Sequence, residues 1–167
     1  MSPLTGREAA EKLSARTVGL ARVIAAGTGA STALLIGMIA LTCFQSRRSP
    51  SPEEIRLVNL ATAFAAAAAV LAIFASDVVW KAQLRRADAG SVDAVVLRAF
   101  IVRTAMREGA ALIGCVACLI AALNGALRAR PVYWVDLGPA ALFYAYLVLR
   151  WPSLDGLKAE LISALPQ

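Results

Sequence analysis

The sequence predicts an all-α fold: a four-helix transmembrane bundle with a cytoplasmic helical hairpin extension and a C-terminal amphipathic helix. Three observations carry this. Apolar stretches at about residues 23–44, 57–76, 109–127 and 132–151 are each near the ~20 residues that cross a bilayer. Of the 167 residues, 59% are hydrophobic and 17% charged, with mean hydropathy +0.68; a soluble domain carries more charge. Nearly all the charge lies outside the four stretches, where a membrane protein places it. One bundle uses the whole length, so residues 1–167 read as a single integral membrane domain.

The first element starts at Thr5-Gly6-Arg7-Glu8, the spacing of a capping box, with Leu4 placed as its hydrophobic staple. The polar region before the first stretch runs to Arg22, and the stretch is too long for a cleaved signal. One helix is therefore expected from Thr5 to Phe44, a retained anchor with room for a bend at 27–29. Ser51-Pro52-Glu53-Glu54 is the strongest local signal: an N-cap serine, proline in the first turn and glutamate at N3. The second helix starts there and meets no breaker through residues 77–86, where Asp77 and Lys81 form an i,i+4 pair. Gly90 offers a C-cap and Ser91 an N-cap. Helical periodicity then runs from Val92 into the third stretch, so residues 77–107 form a hairpin projecting into the cytoplasm. Val92, Val95, Val96, Ala99, Phe100 and Val102 give it an apolar side, expected to pack on the N-terminal helix or to dock a partner.

The third helix ends near Asn124-Gly125. In the fourth, Gly138-Pro139 moves the start of the regular helix to about Pro139, with residues 132–137 entering as a bent or interfacial piece and Asp136 as its cap. After Trp151-Pro152, Ser153 caps a last helix over 153–165. Its Leu154, Leu157, Leu161, Ile162 and Leu165 share one side, which suits a membrane surface.

Arginine and lysine set the sidedness. Twelve basic residues lie on the face shared by the N-terminal arm, the middle hairpin and the C-terminal tail, against five on the other (Arg47, Arg48, Arg56, Arg128, Arg130). The positive-inside bias puts both termini and the long middle loop in the cytoplasm. Tyr133 and Trp134 on one side, and Trp80 and Trp151 on the other, read as aromatic belts. The net charge of +6 points to anionic lipid headgroups as partner, alongside other membrane subunits or copies of the chain. It does not point to nucleic acid, since no basic run is interleaved with aromatics.

Helices in lipid associate through small residues. Ala25, Gly29, Ala33 and Gly37 form an i+4 ladder on the first helix; Ala110, Gly114, Cys118, Ala122 and Ala126 form another on the third. These two helices are expected to pack tightly, directly or against the alanine-rich second.

Chemistry-bearing residues are few. Histidine is absent, which removes bis-histidine haem and disfavours zinc or copper catalysis. No cofactor, metal or catalytic set is expected. A hairpin turning near Ala89 sets Asp77 level with about Arg103 and Glu108 level with about Val70. Glu108, with Arg103, Arg107 and Asp77, is thus a candidate proton or cation site. The plainer expectation is that Glu108 pairs with Arg103 or Arg107 at the headgroup level. Cys115-Val-Ala-Cys118 is a candidate thiol pair for redox or soft-metal chemistry, against plain packing by small apolar side chains. Asn59 and Asn124, at the outer ends of the second and third helices, are expected to bond each other or freed backbone groups.

The layout resembles small four-helix bacterial membrane proteins with arginine-rich cytoplasmic connections, and Arg103-Thr-Ala-Met-Arg-Glu-Gly-Ala-Ala-Leu-Ile-Gly looks like their entry to the third helix. That helix is also similar to the carboxylate-bearing helix of rotary ATPase proteolipids, with residues 25–37 resembling the glycine-rich partner. It departs from them in setting Glu108 near a membrane border and in placing an extra helix between the two segments. The expected function is that of a non-enzymatic accessory or scaffold subunit. The alternatives are a transporter or proton-coupled component using Glu108, and a thiol-redox or soft-metal protein using Cys115 and Cys118.

Overall fold

The computed structural model describes residues 5–85 and 91–165. Its helices are α1 (Gly6–Lys12), α2 (Ala15–Gln45), α3 (Pro52–Leu84), α4 (Val92–Leu123), α5 (Ala126–Ala129), a 3-10 helix (Pro131–Leu137), α6 (Gly138–Leu149) and α7 (Leu154–Ala164). Four segments are long and apolar enough to cross a membrane: α2, α3, α4, and the 3-10 helix with α6. The chain is a multi-pass membrane protein built as a four-helix bundle. Its exterior matches that solvent, with Leu34, Phe44, Leu60, Phe64, Leu71, Phe74 and Val148 all more than half exposed.

Local chemistry sets the helix starts. Both capping boxes form: Thr5 with Glu8, and Ser51 with Glu54, the latter with Pro52 in the first turn. The single first helix is corrected to two. Leu13 and Ser14 are extended, and the Ser14 hydroxyl accepts from the Thr17 amide to cap α2. α2 then runs unbroken through the glycines of 27–29. Leu4, Arg86, Ala89 and Gly90 lie outside the described residues. Ser91 makes no side-chain cap on α4; instead Asp93, in its first turn, accepts the Ser14 amide at 2.9 Å.

α4 is the centre of the bundle, packed by α2, α3 and α6. It supplies the densest run of buried small residues, including Ala110, Ala111, Gly114, Cys115, Ala117, Cys118, Ala121 and Ala122. Its ladder is therefore interior, as expected. The ladder on α2 is not. Ala25 is buried and Gly29 packs on Leu147 and Tyr144 of α6, but Ala33 and Gly37 face outward. An i+4 step advances about 40° beyond a full turn of a 3.6-residue helix, so three steps carry Gly37 off the contact. The buried stripe instead follows Val18, Ala21, Ala25, Thr32 and Ile39.

Past Asn124, Gly125 adopts φ 72°, a left-handed turn that glycine takes without penalty. The fourth crossing enters as the 3-10 helix and becomes α-helical at Gly138, as the Gly138-Pro139 pair predicts. Seven 3-10 residues and twelve α residues reach roughly 32 Å at standard rises, close to the hydrocarbon thickness.

At the end of the bundle carrying both chain termini, α1, α7 and the base of the α3–α4 hairpin share one core of Ala9, Leu13, Trp80, Leu84, Val96, Phe100, Leu157 and Leu161. The apolar side of the hairpin thus packs within the chain. On the apolar side of α7, Leu157, Leu161 and Leu165 are buried against protein, Leu154 is half-buried and Ile162 is exposed, so most of that side is turned to the bundle. The aromatic belts split too. Trp134 and Trp151 are exposed, whereas Trp80 and Tyr133 are interior.

Candidate functional site

Side chains from α3, α4, α6 and α7 build the polar centre at this end of the bundle. Arg103 and Arg107 stand one turn apart on α4 and face Asp77 on α3. Arg103 pairs with Asp77 at 2.8 Å and with Glu160 of α7 at 2.9 Å. Arg107 pairs with the same Asp77 oxygen at 3.0 Å and donates its Nε to the Ser76 hydroxyl at 2.9 Å. Arg150 closes the set on Glu160 at 3.2 Å. The Arg103 guanidinium lies 5.2 Å from the Trp80 ring centre and 5.4 Å from that of Tyr146, and Arg107 stacks 3.9 Å over Tyr146. Aromatic faces stabilise a guanidinium taken out of water. Arg103, 8% exposed, is thereby tied to α3, α6 and α7 at once, while its buried Nε meets no hydrogen-bond acceptor among the described residues.

The sequence places Asp77 level with Arg103, and they meet. It does not supply Glu160, Tyr146, Ser76 or Trp80 as members of the site. Glu108 is corrected. It pairs with neither Arg103 nor Arg107 but accepts the Ser31 hydroxyl at 2.6 Å on the α2 side of α4. Successive residues of a helix point about 100° apart, so Arg107 toward α3 leaves Glu108 toward α2.

A second polar joint lies toward the opposite end of the bundle, between α3 and the 3-10 helix. Tyr133 donates its hydroxyl to Asn59 at 2.8 Å, and Thr62 donates to the Asp136 carboxylate at 3.0 Å. Asn59 and Thr62 are three apart on α3; Tyr133 and Asp136 are three apart on a helix with three residues per turn. The two rungs match in register. Asp136, 2% exposed, is thus a bridging group and not the expected helix cap, and Asn59 bonds Tyr133 instead of Asn124.

Cys115 and Cys118 are free and fully buried, in contact with the core of the bundle. Among the described residues no group of three or more His, Cys, Asp or Glu side chains is arranged to hold a metal ion.

The arrangement ties α3, α4, α6 and α7 together through ion pairs and fixes helix positions through buried polar joints. Compared with known proteins, the chain matches no family model, no curated protein and no solved structure.

Proposed function

We propose that this chain is a non-enzymatic accessory or scaffold subunit of a bacterial inner-membrane assembly, joined to its neighbour through the outer face of α2. One observation carries the reading: Ala26, Ala30, Ala33 and Gly37 are all exposed. Their spacing averages close to 3.6 residues, so they hold one face of the helix along its length. A Cβ at Gly37 would meet nothing within 4 Å. In lipid such a smooth strip lets a second backbone approach closely, which is the main drive for helix association there. The neighbour is another membrane subunit or a second copy. The excess of basic residues at the end carrying the termini supports a cytoplasmic placement of that end.

The test is disulfide or reagent cross-linking in native membranes from a single cysteine at Ala33, in a background lacking Cys43, Cys115 and Cys118. A discrete cross-linked protein is expected from Ala33 and none from Leu71 on the outer face of α3. No product at Ala33, with an unchanged detergent-particle size for Gly37→Leu, overturns the reading.

A second reading, a proton- or cation-coupled component, is favoured by the short Ser31–Glu108 link between two spans. Abolition of a proteoliposome flux by Glu108→Gln would replace the scaffold reading with it.

A further inference from the structure

We propose that the groove between α3 and α6 binds one anionic phospholipid, with its phosphate on Arg107 and part of an acyl chain in the apolar cavity beside it. The site lies on a different face from the α2 strip and stands independently of the assembly reading.

The cavity holds about 140 Å³, near the ~150 Å³ that accepts a benzene-sized apolar guest. Ala72 and Ala110 leave it open where α3 and α4 meet, Leu142 and Phe143 of α6 wall it, and Arg107 with Tyr146 stands in its lining. Leu142 is 56% exposed and its cross-groove neighbour Ile73 42%, so the mouth opens on the lipid-facing exterior.

Charge completes the argument. Arg103, Arg107 and Arg150 are matched by only Asp77 and Glu160, and the two α4 arginines share one Asp77 oxygen. Among the described residues the cluster is one anion short. Arg107 is already aimed and held by Ser76, Asp77 and the Tyr146 ring, and its Nη1 carries no hydrogen bond among the described residues. An anion beside an apolar cleft, at the edge of a membrane span, is most simply the phosphate of a lipid whose chain follows the cleft.

The experiment uses the full chain in mild detergent. Retained lipid is read by native mass spectrometry and stability by the thermal midpoint, with phosphatidylglycerol, phosphatidylcholine or inorganic phosphate added. One retained phosphatidylglycerol is expected, together with a larger rise in midpoint than phosphatidylcholine gives and little effect of inorganic phosphate. Arg107→Gln should weaken the preference about fivefold, the weight of one basic residue against anionic lipid. Ala72→Leu, which fills the cavity and leaves the arginines in place, should displace the lipid; this keeps the test decisive if Arg107→Gln fails to fold. Lys81→Gln should leave the preference intact. Equal effects of the two lipids, full retention by Ala72→Leu, inorganic phosphate matching phosphatidylglycerol, or a co-purified helix of another protein protecting the groove would each overturn the proposal.

Discussion

Ser31 reaches across from α2 to the Glu108 carboxylate at 2.6 Å, while the same hydroxyl lies 2.8 Å from the Thr28 carbonyl one turn back on its own helix. The hydroxyl has a single proton, so it has a local alternative when Glu108 is gone. Glu108→Gln and Ser31→Ala should each change unfolding stability by less than about 0.6 kcal/mol, the average for polar contacts between membrane helices. Denaturation in mixed micelles measures it. A loss several times larger would make this contact a principal joint.

Arg103 behaves differently because three elements meet on it. Its side chain is 10% exposed, Glu160 is 19% exposed and Asp77 is 47%. The Asp77 half is screened by water and worth little, so the cost of Arg103→Met comes mainly from the Glu160 half; Arg150 still pairs with Glu160 and holds that cost to about 1–3 kcal/mol, the range for a buried polar group that loses one partner. Arg103→Lys should fall between, since an ammonium keeps the charge but loses the planar fork and the stacking on Trp80 and Tyr146. Arg103→Met/Glu160→Leu should recover part of the loss, and a double-mutant cycle of thermal midpoints reads it. Strict additivity would refute the coupling.

What was legible in the sequence was local. Capping boxes at Thr5 and Ser51, the Asn124-Gly125 stop and the Gly138-Pro139 entry each depend on neighbours within a turn, and each appears where the residues placed it. Asp77 opposite Arg103 was also legible, because a hairpin register is arithmetic. Glu160 was not: it sits 57 residues beyond Arg103, on a tail whose docking is decided by tertiary packing of Leu157 and Leu161. One signal in the sequence is the excess of six basic residues over three acids across the hairpin, 77–107, which leaves room for a carboxylate from elsewhere. The break at Ser14 has no distinct signal in the sequence, because residues 5–44 read as continuously helical and serine occurs within helices as well as at their caps. On α2, i+4 steps drift off the 3.6-residue turn, so the small-residue ladder leaves the contact that Val18, Ala21, Ala25, Thr32 and Ile39 follow.

Two glycines of the predicted ladders should now separate. A Cβ on Gly114 would run into the Asp136 backbone carbonyl and lie 3.1 Å from Pro139, whereas one on Gly37 meets nothing. Gly114→Ala should therefore push the 3-10 helix off α4, at about 1–3 kcal/mol, the usual cost of overpacking. Gly37→Ala should stabilise the isolated chain by up to about 1 kcal/mol through helix propensity. Thermal midpoints in dilute detergent decide; equal effects at the two positions would contradict the placement of α6 on α4.

Asp136 and Thr62 set the register of the fourth crossing against α3. Asp136→Asn keeps an oxygen that accepts the Thr62 hydroxyl, so it should preserve the fold. Asp136→Leu takes away the acceptor of the Thr62 hydroxyl within the bundle, and it should cost more than Thr62→Val, itself about 0.6 kcal/mol. Asp136→Asn unfolding as readily as Asp136→Leu would mean that the group acts through its charge.

Acid should loosen α1 before the bundle. Glu8 accepts the Thr5 backbone amide at 2.9 Å and the Thr5 hydroxyl at 2.8 Å, and these bonds, the amide first, hold its carboxyl below the usual carboxylate range. A carboxyl held low in the folded state contributes stability that is complete above its unfolded pKa and is lost as pH falls through the folded one. Hydrogen exchange at the Ala9 and Ala10 amides should therefore accelerate on acidification below the ordinary glutamate range, while amides in the middle of α4 stay protected. Glu8→Gln retains an acceptor for the Thr5 amide at every pH, so it should remove this dependence without releasing α1 at neutral pH. If α1 and α4 lose protection together, the terminal helix is not a separate unit and its docking on α7, where Gly6 abuts the Ile162 backbone, is as firm as the core.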